Sequence, residues 1–192
     1  MLKIGGLNPC TTIDYPGELS AVIFCQGCPW RCGYCHNPEL LPEHLEQGIS
    51  LTSILKFLEK RQGLLDAIVF SGGEPTMQSG LAAAMSAVKQ KGFLIGLHTS
   101  GALPDRLAQI LPLTDWVGMD IKAPFDEYEA ITGVPGSGTA AHASAGMVRR
   151  SGVSHRFRTT LAPFLQENGR LEKLRLQIRH EFGAEIEVQR ML

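Results

Sequence analysis

The stretch "LSAVIFCQGCPWRCGYCHNPE", residues 19–39, runs from an uninterrupted apolar segment straight into four of the chain's five cysteines and a histidine. The apolar half, 19–24, has the length and composition of a buried strand. The polar half is a loop in which Cys25, Cys28, Cys32 and Cys35 follow the spacing C-x2-C-x3-C-x2-C. In sheets of parallel strands, ligands bind where the loops leave the carboxyl ends of the strands. A strand that empties into clustered thiols therefore suggests both a fold class and a site.

Working outward, the same alternation recurs. Leu51, Ile54, Leu55 and Leu58 fall on one face, so 51–61 reads as a helix closed by Gly63, and "DAIVF" (66–70) reads as the next strand. Helix 79–91, strand 93–97, helix 104–111 and strand 116–121 follow. Helices around 125–132 and 140–151, strand 153–161, a helix near 170–181 and strand 185–189 complete about six strand–helix units. Such alternation predicts a parallel sheet covered by helices, and both an open doubly wound sheet and a partial (βα) barrel fit the count. In either, "SGGEPT" (71–76), "HTSG" (98–101), "DIK" (120–122) and "FRTT" (157–160) end successive strands on the rim that carries the cysteine loop. The Gly/Pro/Ala-rich stretch 133–146 reads as a mobile connection on that rim, turning helical in its Ala-rich part.

The 192 residues suit one domain spanning 1–192, with a cluster loop at 25–38. At 44% apolar and 19% charged the composition is that of a globular protein. Residues 1–148 hold 9 basic against 14 acidic side chains, and 149–192 hold 9 against 5. In that basic quarter the charges interleave with Leu174, Leu176 and Ile178 at helical spacing, as on a solvated helix face, so no nucleic-acid partner is expected. The N-terminus lacks a secretion-signal pattern and no apolar run reaches membrane-spanning length. The expectation is a cytoplasmic protein, where clustered cysteines read as metal ligands rather than disulfides. Four thiolates suit tetrahedral zinc and iron–sulfur clusters equally.

Cys28-x3-Cys32-x2-Cys35, with Tyr34 before the last cysteine, resembles the motif of radical S-adenosylmethionine (SAM) enzymes. "TTIDYPG" (11–17), "QGCPWRCGYCHNPE", "SGGEPT", "DIKAP" and "FRTT" resemble, in order, the motifs of enzymes that activate glycyl radical proteins, above all the group acting on anaerobic ribonucleoside-triphosphate reductase. The resemblance implies a partial (βα)6 barrel of the TIM-like, radical SAM type. It implies a [4Fe-4S] cluster on Cys28, Cys32 and Cys35, with the fourth iron open to SAM. Cys25 stands where the family commonly has a non-ligating residue and reads as the end of a buried strand. Cys10 reads as structural.

By the same resemblance Gly72, Gly73, Glu74 and Pro75 form the SAM-binding loop, whose glycines let the backbone approach and accept from the ammonium. Tyr34 lies near the adenine and Asn37 near SAM. Asp120 and Lys122, on one side of their strand, contact SAM, with Thr99 and Ser100 in the same neighbourhood. His98 replaces a frequent acidic residue, which counts against a monovalent cation beside Asp120. Arg158 is assigned to the SAM carboxylate or ribose, and Asp14 and His36 to the region of the substrate glycine.

The implied chemistry starts with one electron from a donor such as flavodoxin or ferredoxin. Reductive cleavage of SAM to methionine and a 5′-deoxyadenosyl radical follows, and that radical takes hydrogen from Cα of a glycine in the partner. Two alternatives compete: a radical SAM enzyme acting on a small molecule, as in deazapurine synthesis, and a zinc-binding interaction module using all four clustered cysteines. The chain ends soon after the sixth strand, so a function that relatives place further on is expected to be absent or supplied by the partner.

Overall fold

The computed structural model describes residues 2–44 and 46–190. After an opening strand β1 (Ile4–Thr11), the chain alternates through β2 (Ser20–Cys25), α1 (Leu51–Glu59), β3 (Ala67–Gly72), α2 (Leu81–Lys89), β4 (Leu94–Thr99), α3 (Pro104–Ile110) and β5 (Trp116–Asp120). It continues through α4 (Tyr128–Thr132), α5 (Ser137–Arg150), β6 (Ser154–Thr160), α6 (Pro163–Gln166), α7 (Arg170–Phe182) and β7 (Ile186–Gln189). The strands form one sheet in chain order, β1 through β7. β2 to β7 are parallel throughout, and β1 is antiparallel to β2.

That order decides between the two architectures. A doubly wound sheet reverses its strand order at a switch point, and none occurs here. The sheet winds in one direction, as a six-unit partial barrel with β1 and β7 as its edges.

Alternate strand residues explain the two faces. Ile23, Ile68, Phe70, Ile95, Leu97 and Val117 are fully buried in a core shared with Leu58 of α1, Met85 of α2 and Leu174 of α7. Burial of each such side chain is worth roughly 1.5–3 kcal/mol, so this layer dominates the stability. The opposite, concave face holds only a small cluster of Val22, Ala67, Val69 and Trp116, with Tyr15 folded onto it. Helix α1 begins where Ser50 accepts a hydrogen bond from the Ser53 N–H at 3.1 Å.

Three features depart from the sequence reading. β1 has no counterpart in it: Gly5, Gly6 and Pro9 erase any alternation, and its pairing with β2 is broken by two register shifts. The short α6 is also additional. The stretch 133–146 is no loose connection, since α5 starts at Ser137 with its Oγ 2.7 Å from Thr132 Oγ1 and runs through it. The basic C-terminal quarter does present a solvated, paired face. Lys173 bridges Asp126 and Glu127 at 2.6 and 2.8 Å, Arg170 meets Glu127 at 2.7 Å and Arg179 meets Glu185 at 2.9 Å. Among the described residues no helix is long and apolar enough to cross a membrane.

Candidate cofactor-binding site

The cysteine loop leaves β2 and is pinned by its backbone. Gly27 N–H donates to Leu40 C=O at 2.7 Å, Cys28 N–H to Leu41 C=O at 3.2 Å and Arg31 N–H to Thr132 C=O at 2.9 Å. The Arg31 guanidinium donates to the Cys28 and Trp30 carbonyls at 2.6 and 2.9 Å. Gln26 donates to the Glu39 and Pro42 carbonyls, closing the loop from behind at 3.0 and 2.8 Å. Trp30 packs edge-on against Tyr128 at 5.5 Å, and the Tyr128 hydroxyl accepts from Lys122 N–H at 2.9 Å. The loop is therefore tied, through Tyr128 of α4, to Lys122 just past the end of β5.

Beside it lies a cleft of about 730 Å³, counting its open mouth. The loop contributes Cys28, Cys32, Tyr34, Cys35, His36 and Asn37 to its lining. The strand ends contribute Ser71, Gly72 and Gly73, then His98, Thr99 and Ser100, then Asp120 and Lys122, and last Thr160. Five strand ends thus meet in one cavity, as the rim reading expects.

Gly72 and Gly73 make this approach possible. Gly72 has φ +112°, and a Cβ there would lie 2.4 Å from Cys25 N. At Gly73 a Cβ would lie 2.2 Å from the Gly27 carbonyl oxygen. The cluster loop and the β3 loop touch backbone to backbone, with Gly73 N–H donating to Cys25 C=O and Glu74 N–H to Gly27 C=O at 2.9 and 2.8 Å.

Burial pushes the Cys28 thiol up to about 11 and raises that of Cys32. Both are neutral thiols that release protons when a metal takes them. Burial alone would lower the Lys122 ammonium, but the neighbouring Tyr34, Asp120 and Cys32 outweigh it and raise it. A cation therefore stands beside the thiols, its Nζ 5.8 Å from the Tyr34 ring centroid. Among the described residues no three Cys, His, Asp or Glu side chains are gathered to hold a single metal ion. Three thiols distributed round one cleft fit a multi-iron cluster with an open position better than a closed tetrahedral zinc. Cys25 is fully buried on the helix-facing side and does not line the cleft, which removes the fourth ligand that an all-thiolate zinc site needs. Cys25→Ala is expected to keep full iron content after anaerobic reconstitution and to cost on the order of 1 kcal/mol in stability. Iron analysis and thermal melting check this, and loss of iron would show that Cys25 is a ligand.

Beneath the cleft, Arg158 Nε and Nη2 both approach Asp120 Oδ1 at 3.1 Å. Burial would raise the Asp120 carboxyl, but Arg158, Lys122 and His98 hold it below its usual range. The His98 ring stacks edge-on against Trp116 at 5.5 Å, and its Nε2 lies 2.8 Å from the Asp14 carbonyl oxygen. That oxygen can only accept, so Nε2 carries the proton, and the Arg158 Nη1 at 3.4 Å is a nearby cation rather than a donor to it. Burial first, and Arg158 second, press His98 down to about 4.

A folded-state value below the ordinary 6.5 means that folding favours the neutral ring. Its contribution to stability is complete above pH 6.5 and is lost as pH falls towards 4, at up to about 1.4 kcal/mol per pH unit. Thermal melting across that window is expected to show a steeper acid loss in the wild type than in His98→Gln; parallel curves would contradict this.

Of the residues singled out from sequence, the three cysteines, Tyr34, His36, Asn37, Gly72, Gly73, Thr99, Ser100, Asp120 and Lys122 line the cleft. Glu74, Pro75, Asp14 and Arg158 do not. Glu74 and Pro75 are buried behind the lining, Arg158 is held below it by Asp120, and Asp14 is bonded to Thr11 Oγ1 at 2.8 Å. Ser71 and Thr160 were not singled out. Thr160 shares side-chain parity with Arg158 one step nearer the rim, which was the available signal.

The chain spans roughly half the length of the first curated relatives it matches. It is 37% identical over 129 residues to a Methanocaldococcus jannaschii protein named as a glycyl-radical enzyme activating enzyme, covering 66% of this chain and 52% of that one. It is 32% identical over 139 residues to the pyruvate formate-lyase-activating enzyme of Clostridium pasteurianum, covering 69% and 58%. Among solved structures, Streptococcus suis SuiB bound to S-adenosylmethionine superposes with a TM-score of 0.66 at 14% identity, over 87% of this chain and 39% of that one. Residues 22–174, from within β2 to within α7, match the family described as the radical SAM superfamily. The cysteine loop, the glycine-lined cleft and the partial barrel that carries them place this chain in the radical SAM superfamily, whose cofactors are a [4Fe-4S] cluster and SAM.

Proposed function

We propose that the protein activates a glycyl radical enzyme, generating the radical on a glycine of that partner, with anaerobic ribonucleoside-triphosphate reductase as the partner and flavodoxin or ferredoxin as electron donor. The observation that carries the reading is the cleft itself: three thiols and a glycine-lined strand end share a cavity in a barrel whose edge strands, β1 and β7, do not pair. A barrel open at its side leaves room for a protein loop. The motif order favours the reductase, while the names of the relatives point to activation of pyruvate formate-lyase or of an unspecified glycyl radical enzyme.

When bound, the cluster and SAM together supply the 5′-deoxyadenosyl radical that takes hydrogen from the glycine. On this reading Cys28, Cys32 and Cys35 hold the cluster. The backbone carbonyls of Gly72 and Gly73 accept from the SAM ammonium, and Lys122 donates to anionic or hydroxyl oxygens of the ligand. Asp120, fixed by Arg158, accepts from ribose hydroxyls, and the Tyr34 ring and Asn37 flank the base. Trp30 and Leu41 supply apolar lining that keeps water from the reacting atoms. His36, an exposed residue of the lining, faces the incoming loop.

Anaerobically reconstituted protein mixed with SAM, a reductant and purified reductase is expected to produce a glycyl radical signal in electron paramagnetic resonance, dependent on all three additions. A signal with pyruvate formate-lyase alone would overturn the choice of partner. No signal with any glycyl radical protein of the source would overturn the activating role.

A further inference from the structure

Most positive charge in the basic quarter 149–192 is neutralised on the surface. Among the described residues Arg156, Arg158, Arg170, Lys173, Arg175 and Arg179 each form an ion pair, whereas Arg149 and Arg150 form none. Both of these line an open groove between α5 and α7, about 1140 Å³ counting its open side. Two uncompensated charges therefore share one concave surface.

Local geometry keeps them there. Arg149 Nε donates to Phe182 C=O at the end of α7, at 2.8 Å, which leaves its Nη groups for a ligand. Arg150 lies back over Gly146, where a Cβ would come within 2.9 Å of its Nη1, so the bare helix surface seats the guanidinium. Glu181, the one acid lining the groove among the described residues, accepts from His142 Nε2 at 2.5 Å and pairs with neither arginine. Two guanidinium forks on such a surface recognise carboxylates.

What lies behind the groove singles out one kind of acidic partner. The His142 ring stands edge-on to Phe125 at 5.0 Å, Phe125 stacks on Tyr128 at 6.0 Å, and Tyr128 meets Trp30 at 5.5 Å. Trp30 lines the cleft together with Cys28, Cys32 and Cys35. Packed rings thus lead from the groove to the cysteines. Electrons tunnel more readily through packed atoms than across open space, and the chemistry proposed above consumes one electron while the partner's loop occupies the cleft. An electron that enters through the helical wall does not compete with that loop.

Resting on the SAM-cleaving reading above, we propose that the groove between α5 and α7 docks an acidic one-electron carrier, with Arg149 and Arg150 as its charge contacts. The carrier loses one electron and the cluster gains it; no bond forms or breaks in this chain. Redox complexes are transient and bury less than roughly 1,200 Å², so a shallow groove suffices. Opposite charge speeds such encounters by about 10- to 1,000-fold at low salt.

Charge reversal at Arg150 is the test. Oxidised flavodoxin and oxidised ferredoxin are titrated by calorimetry into the anaerobically reconstituted protein at low salt. The tighter binder is then used in reduced form, beside dithionite, to drive 5′-deoxyadenosine formation from SAM. Arg150→Glu is expected to weaken carrier binding and to slow the carrier-driven reaction about tenfold each, with the dithionite-driven reaction unchanged. Arg150→Gln should act in the same direction more weakly, and added salt should close the gap as the charges are screened. Wild-type carrier affinity in Arg150→Glu would overturn the proposal, as would equal slowing with dithionite or a wild-type protein that binds neither carrier. Wild-type protein that cleaved no SAM even with dithionite would instead overturn the reading on which the proposal rests.

Discussion

Cys32→Ala is expected to abolish iron binding and, with it, all SAM cleavage. A [4Fe-4S] cluster that keeps one iron open depends on three protein thiolates, and the two left after the substitution cannot hold it against loss to solvent. Cys32 sits between Cys28 and Cys35 in a loop pinned at Gly27, Cys28 and Arg31, so no other thiol can move into its place. Cys25 is fixed in the core on the helix-facing side of β2, and Cys10 is exposed on β1. The metal-free variant should melt close to metal-free wild type, because Cys32 is only partly buried. Iron analysis and the visible spectrum after reconstitution check the outcome, and near-normal iron content would contradict the three-ligand assignment.

The second large effect is expected at Gly72→Ala, which changes no polar group yet meets two penalties at once. The residue sits at φ +112°, where a side chain is strained, and its new Cβ would lie 2.4 and 2.5 Å from the Cys25 N and O atoms. Backbone cannot rotate away as a side-chain tip can. Strain and overpacking of this kind cost roughly 1–3 kcal/mol each, so a combined loss of about 4 kcal/mol is expected, lowering the melting temperature by about 8–16 °C. The only relief is to part β3 from β2 at the Cys25–Gly72 pair, which displaces both the cluster loop and the glycine carbonyls. SAM affinity should therefore fall together with stability. Melting and calorimetry on the same preparation test this, and a variant with wild-type stability would mean that the two strands part at no cost there.

The contrast between Cys28 and Glu74 shows what sequence could and could not convey. Cys28, Cys32 and Cys35 are informative because thiols at that spacing have few other uses, and they do line one cleft. The parallel strands were readable because each is a short apolar run bounded by helical periodicity, as with Phe70 and Leu97 against Leu58 and Met85. Choosing between barrel and doubly wound sheet was different, since strand order is a long-range property that local patterns do not encode; motif resemblance supplied it. β1 was hidden because Gly5, Gly6 and Pro9 give a strand no local signal, and its partners, β2 and Ile49, lie further along the chain.

Glu74 and Arg158 are more instructive: both are named from sequence beside SAM, yet neither side chain lines the cleft. Their positions beside the rim were right, but proximity along the chain does not reveal which way a side chain turns. Glu74 turns into a nest of hydroxyls and amides from Thr76, Thr99 and Ser100, two of these residues coming from another strand end. Arg158 turns to Asp120 across the β5–β6 pair, where the two residues are register partners. Both are charges that burial forces onto partners, and those partners become visible only when the sheet is assembled.

The central claim is that SAM is cleaved reductively at a cluster held by Cys28, Cys32 and Cys35. The most direct test is to reconstitute the wild-type chain anaerobically, add SAM and dithionite, and quantify 5′-deoxyadenosine by chromatography. The account predicts formation of 5′-deoxyadenosine and methionine in equal amounts by the wild type and by Cys25→Ala, and none by the alanine variants of Cys28, Cys32 and Cys35. Wild-type protein that loads about four irons, binds SAM and yields no 5′-deoxyadenosine would contradict it.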